Sequence, residues 1–214
     1  MMDVRTAYLF DFDGTITIKD TSELVLEHFA PGDWHIFDRM MDRGEISLEK
    51  CMKEQFRLVT TRPKEILQYL DGKVQIRDGF PDIVEHLMSN GHKVAIVSAG
   101  LDFVIAHYLG TLGLSGRIEV ISGRSSFNSH IEFDFPPVRD HAAMDFKQDM
   151  VIHLRRTFDR IEYFGDGSSD YNAARSSDHC FTVRDSRLDK LCHAEDIEHT
   201  EFDDFVEILA AMKN

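Results

Sequence analysis

Cysteine is scarce in this chain of 214 residues, and its three cysteines lie far apart. Cys51, Cys180 and Cys192 include no Cys-x-x-Cys pair and are odd in number. A disulfide framework and a zinc site made of thiolates are therefore not expected, and a reducing cytoplasm fits this usage. The eleven histidines are scattered as well, with no pair at the spacing of a helical metal site, which predicts mainly surface positions.

Positive charge is also in short supply. The chain has 24 Lys and Arg against 38 Asp and Glu, a net charge of −14. Nucleic acids and anionic membranes both require a basic surface, so neither is an expected partner. No apolar run approaches the roughly 18 residues of a membrane-spanning helix. The first ten residues lack the pattern of a secretory signal, which again favours a cytoplasmic location.

The stretch Ala7–Thr15, AYLFDFDGT, is the candidate centre of the protein. Its first four residues are mostly apolar and predict a short buried strand that ends at Asp11. Asp13 follows two residues later, so in extended backbone both carboxylates point to the same side. Two such charges repel unless a cation lies between them or one stays protonated. The pair therefore predicts a hard metal ion or an acid–base role.

Two simpler interpretations apply to this stretch. A strand followed by a polar Asp/Gly turn is about as common as a functional site for a bare Asp-x-Asp-Gly. A calcium-binding EF-hand loop fails on spacing, because Ile16 and Ser22 stand where that loop needs Gly and Glu. Only the other motifs of the chain can decide between a structural turn and a functional site.

The remaining pattern predicts an α/β fold with a helical insertion. The segment after the first strand is predicted to be all helical. The first helix is capped by Asp20 or Thr21 and runs to Phe29, and the others are Trp34–Met41, one capped by Ser47, and Pro63–Leu70. From Gly79 onwards strands alternate with helices, which predicts a parallel sheet covered on both faces. The predicted strands are Lys93–Ala99, Arg117–Ile121, Arg160–Phe164 and Cys180–Val183, with a hairpin over Phe127–Phe135. The predicted helices are Pro81–Ser89, Asp102–Leu112, Asp145–Phe158, Ser169–Arg175 and Asp203–Met212.

This order predicts two domains. Residues 1–16 and 76–214 would form the α/β core, and residues 17–75 an inserted helical cap. Ligands of open α/β sheets bind beyond the carboxyl ends of the strands. Because the insertion leaves from that edge, it would cover the site.

Polar residues follow three of the predicted strands. Beside the first Asp pair, Ser98-Ala99-Gly100 offers a hydroxyl and backbone N–H groups for a phosphate oxygen, and Asp166 and Asp170 add two carboxylates. Lys147, near the start of a helix, is a candidate cation. Alone, these features are typical of a strand end, a capping turn and a surface lysine. Together they match phosphoryl transfer, with oxygen ligands for Mg²⁺ and a carboxylate nucleophile that forms an aspartyl-phosphate.

The four motifs resemble those of the haloacid-dehalogenase-type phosphatases, in the same order. They are Asp11-Phe12-Asp13-Gly14-Thr15, Ser98, Lys147 and Gly165-Asp166-Gly167-Ser168-Ser169-Asp170. The resemblance implies a Rossmann-like core in which Asp11 is the nucleophile and Asp13 the general acid and then base. It implies that Ser98, with Ala99 and Gly100, and Lys147 bind phosphate. Mg²⁺ would be held by Asp11, the backbone carbonyl of Asp13, Asp166 and Asp170.

The helical insertion is similar to the cap of the phosphoserine phosphatase branch. Asp20 stands where that branch contacts the substrate's amino group, and Gln55 stands where it has an arginine for the carboxylate. A closer likeness is to the methionine-salvage phosphatases that act on 2-hydroxy-3-keto-5-methylthiopentenyl-1-phosphate. It rests on Asp11–Asp20, Phe29–Trp34 and Ser126–Pro136. The cysteine-rich segment that those relatives often carry corresponds to Val138–Met144, which has no cysteine.

The sequence thus predicts a Mg²⁺-dependent phosphatase that hydrolyses a small phosphorylated metabolite, as a monomer or a homodimer. A phosphoserine phosphatase or a phosphotransferase on the same fold would share every motif. A non-catalytic binding module would be expected to have lost a motif residue, and none is lost here.

Overall fold

The centre of the fold is a parallel sheet whose winding direction reverses at its first strand. The computed structural model describes residues 4–213. The strands are β1 Thr6–Phe10, β2 Lys93–Ser98, β3 Glu119–Ser122, β4 Arg124–Phe127, β5 Ile131–Asp134, β6 Arg160–Gly165, β7 His179–Val183 and β8 His199–Phe202. Six of them form a sheet in the order β3-β2-β1-β6-β7-β8, and β4 and β5 form a separate antiparallel hairpin. The reversal places a crevice at the carboxyl ends of β1 and β6.

Ten α-helices surround and extend this sheet in the described part of the chain. They are α1 Thr21–Phe29, α2 His35–Asp42, α3 Leu48–Phe56, α4 Pro63–Leu70, α5 Phe80–Ser89, α6 Asp102–Thr111, α7 Phe146–Leu154, α8 Tyr171–Ser176, α9 Arg187–Ala194 and α10 Phe205–Met212. The predicted α/β class, parallel sheet, helical insertion and small hairpin are confirmed. Within residues 4–213, none of the helices has the length and apolar character needed to cross a membrane.

Aromatic side chains of neighbouring strands hold the middle of the sheet together. Phe10 of β1 stacks on Phe164 of β6 with ring centroids 4.4 Å apart, and Phe164 stacks on Phe181 of β7 at 4.3 Å. Phe205 of α10 packs against Phe10 and Phe164. Such pairs add to the burial of large apolar surfaces. The strands that carry the site residues are therefore fixed by a rigid core.

The four helices α1–α4 form one insertion between β1 and α5. Asp20 caps α1 by accepting a hydrogen bond from Glu23 N at 2.8 Å, and Ser47 caps α3 in the same way. The chain leaves and re-enters the core side by side, because Thr17 and Ile76 form an antiparallel bridge. The predicted boundaries of the cap, residues 17–75, stay a prediction.

The structure differs from the sequence prediction mainly near the carboxyl terminus. Helix α9 and the edge strand β8 were not predicted, and the predicted helix Ser169–Arg175 instead begins as a 3-10 turn over Ser168–Asp170. That turn is tight because the Asp170 carboxylate accepts from the N–H groups of Asp166 and Gly167. Smaller differences are that β4 starts at Arg124 and that α7 ends at Leu154.

Candidate active site

The Asp-x-Asp-Gly-Thr loop leaves the end of β1 at the crevice. Asp11 N donates to Phe164 O at 2.9 Å, which extends the sheet ladder by one bond before the chain turns. Gly14 then adopts a φ of +75°, and a Cβ there would lie only 2.2 Å from Asp166 Oδ2. Glycine is needed here both for the left-handed backbone and for the close approach of Asp166.

Lys147 is the buried cation of the site. Its Nζ lies 2.9 Å from Asp11 Oδ1 and 2.7 Å from Asp170 Oδ1, and the side chain is 1% exposed. Burial lowers the pKa of Lys147, but the two carboxylates raise it by more, so the ammonium stays charged. Helix α7 positions this lysine in its first turn, where Asp145 caps the helix through Gln148 N. The structure thus brings Lys147 into contact with both Asp11 and Asp170.

Asp170 is the most extensively bonded carboxylate of the group. Besides Lys147, Oδ1 accepts from the Tyr163 hydroxyl at 2.7 Å, while Oδ2 accepts from Asp166 N and Gly167 N at 3.2 and 3.0 Å. These donors fix its direction and hold the loop that carries Asp166. No pattern in the sequence indicates the contact of Tyr163, whose hydroxyl reaches the site from β6.

Asp13 is held by the first turn of α1. Its Oδ1 accepts from the backbone N and the hydroxyl of Thr21, and its Oδ2 accepts from Ser22 Oγ at 3.1 Å. Burial raises the pKa of Asp13, and the hydrogen bonds from Thr21 and Ser22 oppose that rise. A carboxyl group whose pKa is raised in this way is suited to hold and release a proton.

Ser98 ends β2 on the other side of β1. Its hydroxyl oxygen accepts from Gly100 N at 3.1 Å, so its own proton remains available for another acceptor. Ser98, Ala99 and Gly100 all line the same cavity as Asp11 and Lys147. Below the loop, Arg77 is buried and donates to Gly14 O and Thr15 O, both at 2.8 Å. Arg77 was not anticipated, because nothing in the sequence distinguishes it from a surface arginine.

The cavity has a volume of about 300 Å³ and lies between the strand ends and the insertion. Its upper wall comes from the insertion and combines the polar residues Asp20, Ser22, Glu23, Asp38 and Gln55 with an apolar part made of Leu26, Trp34, Met41, Leu48, Cys51 and Met52. Both cap residues singled out in the sequence line it. Asp20 is occupied in capping α1, and the Gln55 amide donates to Asp38 Oδ1 at 2.7 Å.

Negative charge is in excess at the base of this cavity. Asp11, Asp166 and Asp170 each offer a carboxylate oxygen, and these three atoms all lie within 4.8 Å of one another. Burial, followed by the charge of Asp170, raises the pKa of Asp11 well above its usual range and that of Asp166 to about 7. The donor set consists of oxygen atoms only, which suits a hard divalent cation. These residues therefore fit a bound Mg²⁺.

Comparison with known proteins agrees with this geometry. The family model described as haloacid dehalogenase-like hydrolase matches residues 8–175, and the chain belongs to that family. It is 31% identical over 211 residues to the 2-hydroxy-3-keto-5-methylthiopentenyl-1-phosphate phosphatase of Bacillus velezensis, covering 95% of this chain and 88% of the relative. A relative with the same description from Bacillus pumilus is 29% identical, covering 94% and 87%. Within its family, the chain is a phosphoric monoester hydrolase.

Solved structures share the fold. A phospho-aspartyl intermediate analogue of phosphoserine phosphatase superimposes with a TM-score of 0.72 at 17% identity, covering 98% of this chain and 99% of the other. A phosphoserine phosphatase from T. onnurineus gives a TM-score of 0.68 at 19% identity, covering 99% and 96%. At this level of identity the likeness establishes the architecture, including the inserted helices.

Proposed function

We propose that this phosphatase hydrolyses a small phosphomonoester by transferring its phosphoryl group to Asp11. The observation that carries the proposal is the position of the Lys147 ammonium, in contact with both Asp11 and Asp170 at the base of the cavity. A carboxylate beside a buried cation is a nucleophile that can approach an anionic phosphate. Ser98 and the neighbouring backbone N–H groups would bind the oxygens of the transferring group.

Two half-reactions follow from this arrangement. A carboxylate oxygen of Asp11 attacks phosphorus, the bond to the leaving oxygen breaks, and Asp13 gives its proton to that oxygen. Water then attacks the aspartyl-phosphate, Asp13 takes up one of its protons, and inorganic phosphate and free Asp11 result. Thr21 and Ser22 keep Asp13 oriented through both steps. General acid–base help of this kind contributes about 10²- to 10⁴-fold.

We propose Mg²⁺ as the cofactor, held by Asp11, Asp166, Asp170 and the backbone carbonyl of Asp13. When bound, it would neutralise the carboxylates and the phosphate oxygens. The raised pKa values of Asp11 and Asp166 support this assignment, because burial and then the charge of Asp170 penalise their ionised forms, and a divalent cation would offset that penalty.

The substrate is proposed to be a neutral or cationic ester with an apolar end. Among the described residues that line the cavity, the only cationic side chains are Lys147 and Arg187, whereas Asp20, Glu23 and Asp38 are acidic. A carboxylate on the leaving group, as in phosphoserine, would therefore meet repulsion under the cap. Trp34 and the methionines of the upper wall suit a thioether or another apolar end.

The ester after which the Bacillus relatives are named fits the apolar part of this wall. The methylthio end of 2-hydroxy-3-keto-5-methylthiopentenyl-1-phosphate would pack against Trp34, Met41 and Met52, with its phosphate at Lys147. That ester, or one with a similar uncharged and apolar leaving group, is the proposed substrate class.

The test is phosphate release from a panel of esters, with Mg²⁺ and with a chelator. The panel contains the methylthiopentenyl ester, phosphocholine, phosphoethanolamine, phosphoserine, sugar phosphates and an aryl phosphate. We expect Mg²⁺-dependent release with the methylthiopentenyl ester first and phosphoserine last. A preference for phosphoserine would overturn the proposed substrate class and leave the mechanism intact.

The nucleophile is tested with Asp11→Asn, which should abolish release while the circular dichroism spectrum stays unchanged. Asp82→Asn, the same change at an exposed position of α5, is the matched control and should keep full activity. In rapidly quenched wild-type reactions, mass spectrometry should find one phosphoryl group on the peptide that contains Asp11. An active Asp11→Asn variant, or a phosphopeptide elsewhere, would contradict the assignment.

A further inference from the structure

A second cluster of metal-ligating side chains lies apart from the active site, between α9 and β8. Asp189 and His193 are one helical turn apart on α9, and His199 and Glu201 are two residues apart on β8. Helical i,i+4 spacing and strand i,i+2 spacing each place a pair on one face. The two faces meet, and all four side chains converge.

Three of the distances between ligand atoms in this cluster are close to those around one small ion. His199 Nε2 lies 3.1 Å from Asp189 Oδ1, and His193 Nε2 lies 3.2 Å from Glu201 Oε1 and 3.8 Å from Asp189 Oδ1. One ligand atom from each residue lies within 4.8 Å of every other. In a tetrahedral zinc site with bonds of about 2.0–2.1 Å, neighbouring ligand atoms are about 3.3 Å apart.

A backbone contact sets the tautomer of His199. Its Nδ1 is 2.7 Å from Ile197 O, and because a carbonyl oxygen only accepts, Nδ1 carries the hydrogen. In a neutral ring, the Nε2 lone pair then points at Asp189 Oδ1. Two acceptors at 3.1 Å repel unless a proton or a metal ion lies between them. An imidazole fixed through its other nitrogen is the usual arrangement of a metal ligand.

A single metal ion could take the place of the protons that otherwise lie between these imidazoles and carboxylates. The rings of His193 and His199 are in edge contact, with centroids 4.6 Å apart, so two imidazolium charges there would repel. A single divalent ion would satisfy both imidazoles and both carboxylates. The Arg184 guanidinium pairs with Glu201 Oε2. The other oxygen, Oε1, which faces His193 Nε2, is therefore the one that could bind the ion.

The candidate metal site is buried at one end and open to solvent at the other. The side chains of Asp189 and His199 are only 6% and 7% exposed, whereas His193 is 60% exposed. Asp189 is oriented by the Thr182 hydroxyl at 2.9 Å and by Asp185 N at 3.2 Å. An ion could enter past His193 and meet ligands whose directions are already set.

We propose that Asp189, His193, His199 and Glu201 bind one transition-metal dication, with Zn²⁺ as the ion that two nitrogen and two oxygen ligands fit best. The bound ion would join α9 to the edge strand β8. Because Leu188 N at the start of α9 donates to Asp166 O at 2.7 Å, the same helix supports the active-site loop. The ion would thus stabilise the support of the catalytic loop without contacting substrate.

The experiment is a Zn²⁺ titration of tag-free protein against a chromophoric chelator, with excess Mg²⁺ present to occupy the active-site carboxylates. We expect one equivalent bound at micromolar or lower concentration. His193→Ala should weaken this binding at least about tenfold, and its ring is exposed enough that folding is preserved. His107→Ala, the same change at an exposed position of α6, is the matched control and should bind as the wild type does.

A second readout does not depend on stoichiometry. Long-range nitrogen–proton NMR of the imidazoles should show both rings neutral in the zinc complex, with Nε2 of His199 shifted by the metal. Zn²⁺ should also raise the melting temperature of the wild type and not that of His193→Ala. Equal Zn²⁺ binding by wild type and His193→Ala, or a His199 ring that stays doubly protonated with Zn²⁺ present, would overturn the proposal.

Discussion

At the scale of single residues, the site depends on close approaches that only glycine permits. Gly100 lies against Asp13, and a Cβ at this position would be 2.2 Å from Asp13 Oδ2 and 3.4 Å from Ser22 Oγ. Contacts as short as the first of these are not tolerated, so the carboxylate would have to move. The hydrogen bonds of Asp13 to Thr21 and Ser22 would be disturbed at the same time.

Gly100→Ala should therefore lower kcat by about 10²-fold, the lower end of what a displaced general acid costs, with KM within a few fold of wild type. The measurement is steady-state phosphate release together with a melting curve. Gly110→Ala is the control: its Cβ would meet nothing closer than Ser115 Oγ at 3.6 Å, so activity should be retained. A fully active Gly100→Ala variant would show that the position of Asp13 is not limiting.

A second prediction for a single residue concerns the buried ammonium of Lys147. Lys147→Gln leaves Asp11 and Asp170 without their shared cation, and breaking a buried ion pair from one side costs about 3–5 kcal/mol. We expect a loss of that size in the free energy of unfolding, measured by denaturant titration in chelator, and a fall in activity of at least about 10²-fold. Lys64→Gln on the exposed side of α4 should change neither quantity. Unchanged stability of Lys147→Gln would contradict the ion-pair assignment.

The motif residues were predictable because they follow strands, and parallel strands bring their carboxyl ends to one edge. Asp11, Ser98 and Asp166 come together for that reason alone. Their supporting partners were not predictable in this way. Tyr163 and Arg77 look like ordinary strand and loop residues in the sequence, and their roles depend on which loops pack above them.

At the scale of elements, the insertion and the core share a helix cap. Glu49 in the first turn of α3 accepts from Phe146 N at 2.9 Å through its Oε1. Phe146 is the first residue of α7, so a side chain of the insertion satisfies a backbone donor immediately before Lys147. Loss of such a cap costs about 1 kcal/mol.

Glu49→Ala should consequently lower kcat severalfold by loosening the helix that carries Lys147, while Glu49→Gln, whose amide oxygen can still accept, should restore most of it. Rates of both variants under saturating substrate are the measurement. Glu54→Ala on the same helix is the control, because among residues 4–213 its carboxylate pairs only with Lys50 and Arg57. If Glu49→Ala and Glu54→Ala behave alike, this contact does not position Lys147.

Helix α9 and strand β8 were not predicted from the sequence, and both are short and largely polar. Helix α9 has only one short set of helically spaced apolar residues, Leu188, Leu191 and Cys192, and β8 buries only Phe202 fully, so both patterns are too short to mark an element clearly. A capping signal was present: Ser186 accepts from Asp189 N, three residues on. The proposed zinc ligands lie on these two elements. Two of these ligands follow helical spacing and two follow strand spacing. A search for histidine pairs at one fixed spacing therefore does not detect the site.

At the scale of the whole molecule, we propose that residues 17–75 act as a cap that closes over the cavity. The chain enters and leaves this segment at the Thr17–Ile76 bridge. On the far side, Asp42 of α2 pairs with Arg187 of α9 at 2.8 Å. The pair is partly exposed and is worth about 0–1 kcal/mol, so it adds little to the other contacts that join the insertion to the core, such as that of Glu49 with Phe146 N. Closure would exclude water from the reacting phosphate.

The stability of the whole chain should depend on pH in opposite senses with and without a cation. In metal-free protein, burial and the charge of Asp170 raise the pKa of Asp166 to about 7, above its value in the unfolded chain. The folded state then binds more protons than the unfolded state between about pH 4 and pH 7. The contribution of this group to stability is therefore present at low pH and is lost as pH rises through 7.

Mg²⁺ reverses this dependence because it needs ionised ligands. In chelator, the free energy of unfolding should be lower at about pH 8 than at about pH 6, and millimolar Mg²⁺ should raise it more at the higher pH. Asp166→Asn separates this group from the other acids of the chain, since the variant cannot titrate at that position. Its pH slope in chelator should be flatter than that of the wild type. An identical slope in both proteins would mean that Asp166 does not change its protonation state in this range, which would contradict its assigned contribution to the pH dependence.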